Sequence, residues 1–160
     1  MQTCLFQTTL PRAAPDNSFK LNLLDSGLRE SSMRIDSIDH LVLTVEDIDT
    51  SCEFYTHVLG MKTVTFGGDR KALSFGSQKI NLHQRGRGFE PKAAHPTPGS
   101  ADLCLITSLP IPAVSAHLEA CGVAVVDGPV QRTGALGPIL SVYIRDPDSN
   151  LIEVASYAET

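Results

Sequence analysis

The chain repeats itself. His40 stands 20 residues before Gly60 and Asp102 stands 20 residues before Gly122, so two stretches match at a constant offset of 62. Within them His40-Leu41-Val42-Leu43 aligns with Asp102-Leu103-Cys104-Leu105, and Gly60-Met61 aligns with Gly122-Val123. A unit this short buries its apolar face only against a neighbour, so two copies are expected to pack as pseudo-symmetric modules around shared apolar surface. A chain of 160 residues has room for one domain of that kind, not for two ordinary ones.

Each copy reads as strand, helix and three strands. In the first, "IDHLVLTV" is a strand and "EDIDTSCEFYTHVLG" a helix, with Asp47 as N-cap, Ile48, Cys52, Tyr55 and Leu59 at helical spacing, and Gly60 as the stop. "MKTVTFG", "KALSFG" and "KINLH" follow as short strands separated by Gly-containing turns. In the second, "ADLCLIT" is a strand and "LPIPAVSAHLEACG" a helix that stops at Gly122, followed by the strands "VAVVDG", "ILSVYI" and "NLIEVA". "DGPVQRTGALGP" reads as a longer insertion loop, and the Gly- and Pro-rich "QRGRGFEPKAAHPTPGS" as the crossover between modules. The modules thus span about residues 34–87 and 100–157 of a domain at 34–160.

Residues 1–33 lack periodicity and balance Arg12, Lys20 and Arg29 against Asp16, Asp25 and Glu30, which reads as a flexible tail. The tail has no apolar core for a secretory signal and is not acidic-poor like a transit peptide. A cytoplasmic location is expected, with organellar targeting by the tail as an open alternative. The net charge of −5 therefore belongs to the domain and argues against nucleic acid as a partner. No run reaches the roughly 20 apolar residues of a membrane helix. Cys4, Cys52, Cys104 and Cys121 show no CxxC pairing and read as small buried hydrophobes in a reducing compartment.

Polar residues inside apolar strands mark where chemistry is expected. His40 opens the first strand, and Asp102 takes the matching place in the second copy. Glu153 sits among Leu151, Ile152 and Val154, where a carboxylate is costly unless exposed, paired or metal-bound. In "KINLHQ", Asn81 aligns most simply with Glu153, while His83, two residues on and on the same strand face, is the better ligand by type. His40, Asn81 or His83, Asp102 and Glu153 are thus expected to converge. Imidazoles with carboxylates suit one divalent ion such as Fe(II), Mn(II), Ni(II), Co(II) or Zn(II). Against this stand simpler roles: strand-end hydrogen bonds for the histidines and a cap for Asp102. "RDPDSN" reads as a turn rather than a calcium loop, and Arg85, Arg87 and Lys92 as a solvated linker. His57, His95 and His117 are given no role.

"IDHLVLTVEDIDTSCEFYTHVLGM" and "YIRDPDSNLIEVAS" resemble the two modules of the glyoxalase/bleomycin-resistance/extradiol-dioxygenase group, the vicinal oxygen chelate superfamily. The resemblance runs over about residues 34–157. It implies an α+β fold in which two βαβββ modules form an open eight-stranded barrel-like sheet around a divalent metal. Family ligands on the first and last strands of each module fall on His40 and Asp102, on Asn81 or His83, and on Glu153. Glyoxalase I has Glu where Asn81 or His83 stands, so its own reaction is not expected here.

Two functional readings follow. The preferred one is a metal-dependent enzyme, a lyase or isomerase of the glyoxalase type or else an Fe(II) dioxygenase, binding a small substrate through adjacent oxygens with Glu153 as base. The alternative is a metal-free protein that binds or sequesters a small molecule on the same fold. The resemblance also leaves open a homodimer sharing its sites.

Overall fold

The computed structural model describes residues 33–157; residues 1–32 and 158–160, which hold nearly all of the expected tail, lie outside the described residues. Both copies fold as βαβββ modules. The first comprises β1 (His40–Val45), α1 (Ile48–His57), β2 (Lys62–Phe66), β3 (Arg70–Phe75) and β4 (Gln78–Gln84). The second comprises β5 (Asp102–Ile106), α2 (Ile111–Ala120), β6 (Asp127–Gly134), β7 (Gly137–Arg145) and β8 (Leu151–Tyr157). The eight strands lie in two four-stranded sheets, ordered β1-β4-β3-β2 and β5-β8-β7-β6. In each, the first strand pairs in parallel with the last, and the remaining pairs are antiparallel.

Local chemistry sets the helix ends. The Asp47 carboxylate accepts the Thr50 amide at 2.8 Å, satisfying a donor that the first turn leaves without a helical partner. Gly60 and Gly122, matched in the repeat, follow α1 and α2 with φ of +66° and +70°. That left-handed conformation costs glycine little and ends the helix in both copies.

One core serves both modules. Leu43 and Val45 of β1, Leu73 of β3, and Ile80 and Leu82 of β4 join Tyr55 and Val58, then Val114 and Leu118 of α2 and Val142, Ile144, Ile152 and Val154 of the second sheet. Each such side chain, fully buried, contributes about 1.5–3 kcal/mol. Because side chains alternate along a strand, the sheets give one face to this core and turn the other outward. Polar contacts also join the modules: the Tyr55 hydroxyl donates to Asp146 at 2.9 Å, the Glu46 amide to Asp148 at 3.1 Å, and His117 Nε2 to the Val58 carbonyl at 2.9 Å.

Two expectations need correction. The strand after α2 is not "VAVVDG" but "DGPVQRTG", within the stretch read as an insertion loop. β6 is an edge strand, and the register shift between Asp127 and Val130 accommodates Pro129, whose missing N–H costs an edge strand little. Three of the cysteines are also less buried than expected, Cys52 and Cys121 being half-buried and Cys104 exposed, while Cys4 lies outside the described residues. Cys104 takes an outward position on β5, which lies at the edge of its sheet.

Candidate metal centre

Strand register relates the candidate residues to each other. Along β1 and β4, His40 lies opposite Lys79 and Val42 opposite Asn81. Along β5 and β8, Asp102 lies opposite Leu151 and Cys104 opposite Glu153. Asn81 therefore stands to His40 as Glu153 stands to Asp102, one strand over and two residues on. His83 lies opposite Thr44, a further ~7 Å along the strand, and matches Ala155 in the second sheet. The alternative left open between Asn81 and His83 is thus resolved for position: Asn81 is the counterpart of Glu153.

In the first sheet, His40 Nδ1 lies 2.6 Å from Asp39 Oδ1. A carboxylate only accepts, so Nδ1 carries a proton and Nε2 is the nitrogen that a metal would take in the neutral ring. The same bond holds the Asp39 carboxyl below its ordinary pKa. This carboxylate-behind-imidazole arrangement orients a histidine toward a metal. Asn81 Oδ1 is buried with no hydrogen-bond partner. An unpaired buried carbonyl costs about 1–3 kcal/mol, which a cation or donor in front of it would recover.

His83 sits in different surroundings. Its ring meets Phe89 edge-on at 5.6 Å, and its pKa is lowered by partial burial and then by the charges of Arg70 and Lys92. Two cations beside an imidazole oppose the arrival of a third.

In the second sheet, the fully buried Ser141 donates to Glu153 Oε1 at 2.5 Å, a charge-assisted bond that fixes one carboxylate oxygen. The Cys104 thiol lies against the same group. Partial burial, then the charge of Glu153 and, more weakly, that of Asp102 push its pKa up to about 11, so it stays a thiol at neutral pH. Ser141 and Cys104 were missed as site residues. Cys104 carried a signal, standing two residues from Asp102 on one strand and so on one face; Ser141 carried none.

The structure brings the candidates together in pairs. His40 with Asn81 occupies the outward face of the first sheet, and Asp102 with Glu153 that of the second. Among the described residues no three His, Cys, Asp or Glu side chains lie close enough to share a metal ion. Within one chain, His40, His83, Asp102 and Glu153 thus lie on two separate sheets, whose other faces share a common core. A cavity of about 700 Å³ separates the C-terminal end of α1 from β5 and α2, with Met61, Phe75, Cys104, Ile106 and Leu118 in its walls.

Residues 37–154 match the model of the Glyoxalase/Bleomycin resistance protein/Dioxygenase superfamily. The chain is 62% identical over 125 residues to virulence protein STM3117 of Salmonella typhimurium, covering 78% of this chain and 87% of that protein. It is 56% identical over 131 residues to glyoxalase domain-containing protein RDO1 of Mycosarcoma maydis, covering 82% of this chain and 74% of that protein. The crystal structure of the Salmonella protein superposes with a TM-score of 0.78 at 62% identity, over 79% of this chain and all of that one. The matched span covers both modules except their outer ends, and contains His40, Asn81, Asp102 and Glu153.

Proposed function

We propose that this chain, which belongs to the Glyoxalase/Bleomycin resistance protein/Dioxygenase superfamily, is a divalent-metal-dependent enzyme for a small substrate with two adjacent oxygens. One observation carries the reading: the register relation of His40 to Asn81 repeats as that of Asp102 to Glu153. Two supports accompany it, Asp39 behind the His40 ring and the unpartnered oxygen of Asn81.

The donors would be His40 Nε2, Asn81 Oδ1, Asp102 and Glu153, an all-nitrogen-and-oxygen set suited to Mn(II), Fe(II), Co(II), Ni(II) or Zn(II). A bound ion supplies Lewis acidity toward the substrate's oxygens. Glu153 would be the proton carrier, its carboxylate oriented by Ser141 on Oε1 and by the Cys104 thiol, and would take a proton from substrate carbon and return it. Asn81 cannot share that work, so proton transfer rests on a single carboxylate, unlike the paired glutamates of glyoxalase I. A carboxylate placed to move a proton favours lyase or isomerase chemistry over oxygen chemistry.

Each chain offers two half-centres on separate sheets, so a second copy completes them. A two-fold pairing of first sheet to second sheet makes two equivalent centres. The test measures bound metal by mass spectrometry in the full chain and in His40→Ala and Glu153→Ala variants. Wild type is expected to hold about one ion per chain, and each variant far less. Refolding the two variants together should restore about a quarter of the sites, since half of the dimers are mixed and each of those has one centre free of both lesions. A mixture as empty as its parents would exclude completion by a second copy. A wild-type chain without metal, even after reconstitution, would exclude the enzyme and favour a metal-free binding protein using the cavity of about 700 Å³.

A further inference from the structure

The outward face of the first sheet carries a cluster for which the metal centre has no use. Register places Lys62, Arg70 and Lys79 on this face and no Asp or Glu at any of its strand positions. Arg70 and Lys79 are half-buried, and neither is in an ion pair among the described residues. Lys79 is near enough to the Asp39 carboxylate, itself bonded to His40, for its charge to help lower that carboxyl's pKa, and Arg70 has no such neighbour on this face. The Arg70 guanidinium stands 4.6 Å from the centre of the Phe66 ring and the Lys79 ammonium 4.2 Å from it. The two charges are therefore within about 9 Å of each other over one aromatic ring.

Their positions are held. Arg70 Nε donates to the Gly67 carbonyl at 3.1 Å, and its guanidinium stands 5.6 Å from the Phe89 ring. A Cβ at Gly67 would come within 2.5 Å of the guanidinium, so the glycine clears the space that the group occupies. Two cations partly withdrawn from water lose hydration and repel each other, and one ring compensates only in part. An anion within reach of both offsets part of these costs. A single carboxylate or phosphate at the rim of the ring, accepting N–H bonds of about 2.8 Å, can engage both groups. The guanidinium supplies a bidentate fork and the ammonium a point charge.

We propose that Arg70 and Lys79 form an oxyanion subsite, and that the substrate of the proposed centre carries a carboxylate or phosphate group beyond its metal-facing oxygens. Lys79 lies opposite His40 in register, which sets the subsite beside the first half-centre. The substrate clause rests on the enzyme reading above; the subsite itself does not.

The test is calorimetric titration of the full chain, stripped of metal by chelation, with inorganic phosphate and separately with succinate, at ionic strength held constant by chloride. Saturable binding of at least one anion is expected, weakened at least about tenfold in Arg70→Gln and in Lys79→Gln. Lys62→Gln, on the same face but outside the ring cluster, should bind like wild type. Phosphate binding alone points to a phosphorylated ligand, and succinate binding alone to a carboxylate; both support the subsite. Saturable binding of neither anion, or equal weakening in Lys62→Gln, overturns it. So does loss of self-association in Arg70→Gln and Lys79→Gln without anion binding in wild type, which would pair these cations with the acidic half-centre of a second copy. Because the protein titrated is metal-free, a chain that binds phosphate but never metal keeps the subsite and loses the enzyme.

Discussion

Replacing Tyr55 with Phe tests the polar lock between the modules. Tyr55 is 0% exposed and donates at 2.9 Å to Asp146 Oδ2, on a carboxylate only 5% exposed. Burial and the neighbouring Asp146 charge raise the phenol's pKa further above its ordinary value, so it is a donor at any working pH. Asp146 also accepts from the Asp148 amide at 3.0 Å and from the Asn150 amide and side chain, each at 2.8 Å. Phe keeps the ring, with its edge contact to Phe54 at 5.5 Å, and deletes only the donor. A hydrogen bond to a charged group is worth about 1.5–3 kcal/mol, and three surviving donors place the loss near the lower end, about 1.5–2 kcal/mol. Asp146→Ala strips the acceptor from all four donors and should cost more, about 3–5 kcal/mol. The double variant should cost about as much as Asp146→Ala alone, because both changes delete one contact. Urea unfolding reads these losses as a lower midpoint at unchanged slope. A Tyr55→Phe loss below about 0.5 kcal/mol, or full additivity in the double variant, would refute the lock.

Two further changes probe local structure. The Asp47 cap, bonded to the Thr50 amide and hydroxyl, holds its carboxyl below the ordinary value of 3.8. Its stabilisation is therefore complete above that value and lost as the pH falls through the lower folded-state pKa. Asp47→Ala should lower the melting temperature at neutral pH, and the gap to wild type should close in acid; a gap constant down to about pH 2 would contradict the cap. Gly128 has φ of +105°, and a Cβ there would stand 2.5 Å from the Ser141 carbonyl and 3.0 Å from Val142 Cα. Gly128→Ala should cost at least about 1 kcal/mol in the same urea assay, and an unchanged midpoint would show that β7 yields freely at Ser141.

The repeat, the strand and helix order, and both helix stops were legible because their causes are local. Periodicity, an Asp cap and a glycine after each helix act within a few residues. β6 was misread because Val123, Val125 and Val126 have strand-like composition, whereas Gly128 and Pro129 belong in a strand only at a bulged edge, and edges are a property of the sheet. His40, Asp102 and Glu153 stood out because polar groups inside apolar strands need a reason that sequence can show. Asn81 and His83 could not be separated by type, since imidazole is the better ligand; position across from β1 distinguishes them.

By itself, then, the sequence determined two βαβββ modules sharing one core and the polar positions on their strands. Only the tertiary structure decided that those positions lie as two pairs on outward faces, and that Arg70 and Lys79 meet over Phe66. The reason is physical: alternation along a strand is written in the chain, but which strands become neighbours, in what register, is settled by burying both sheets against one core.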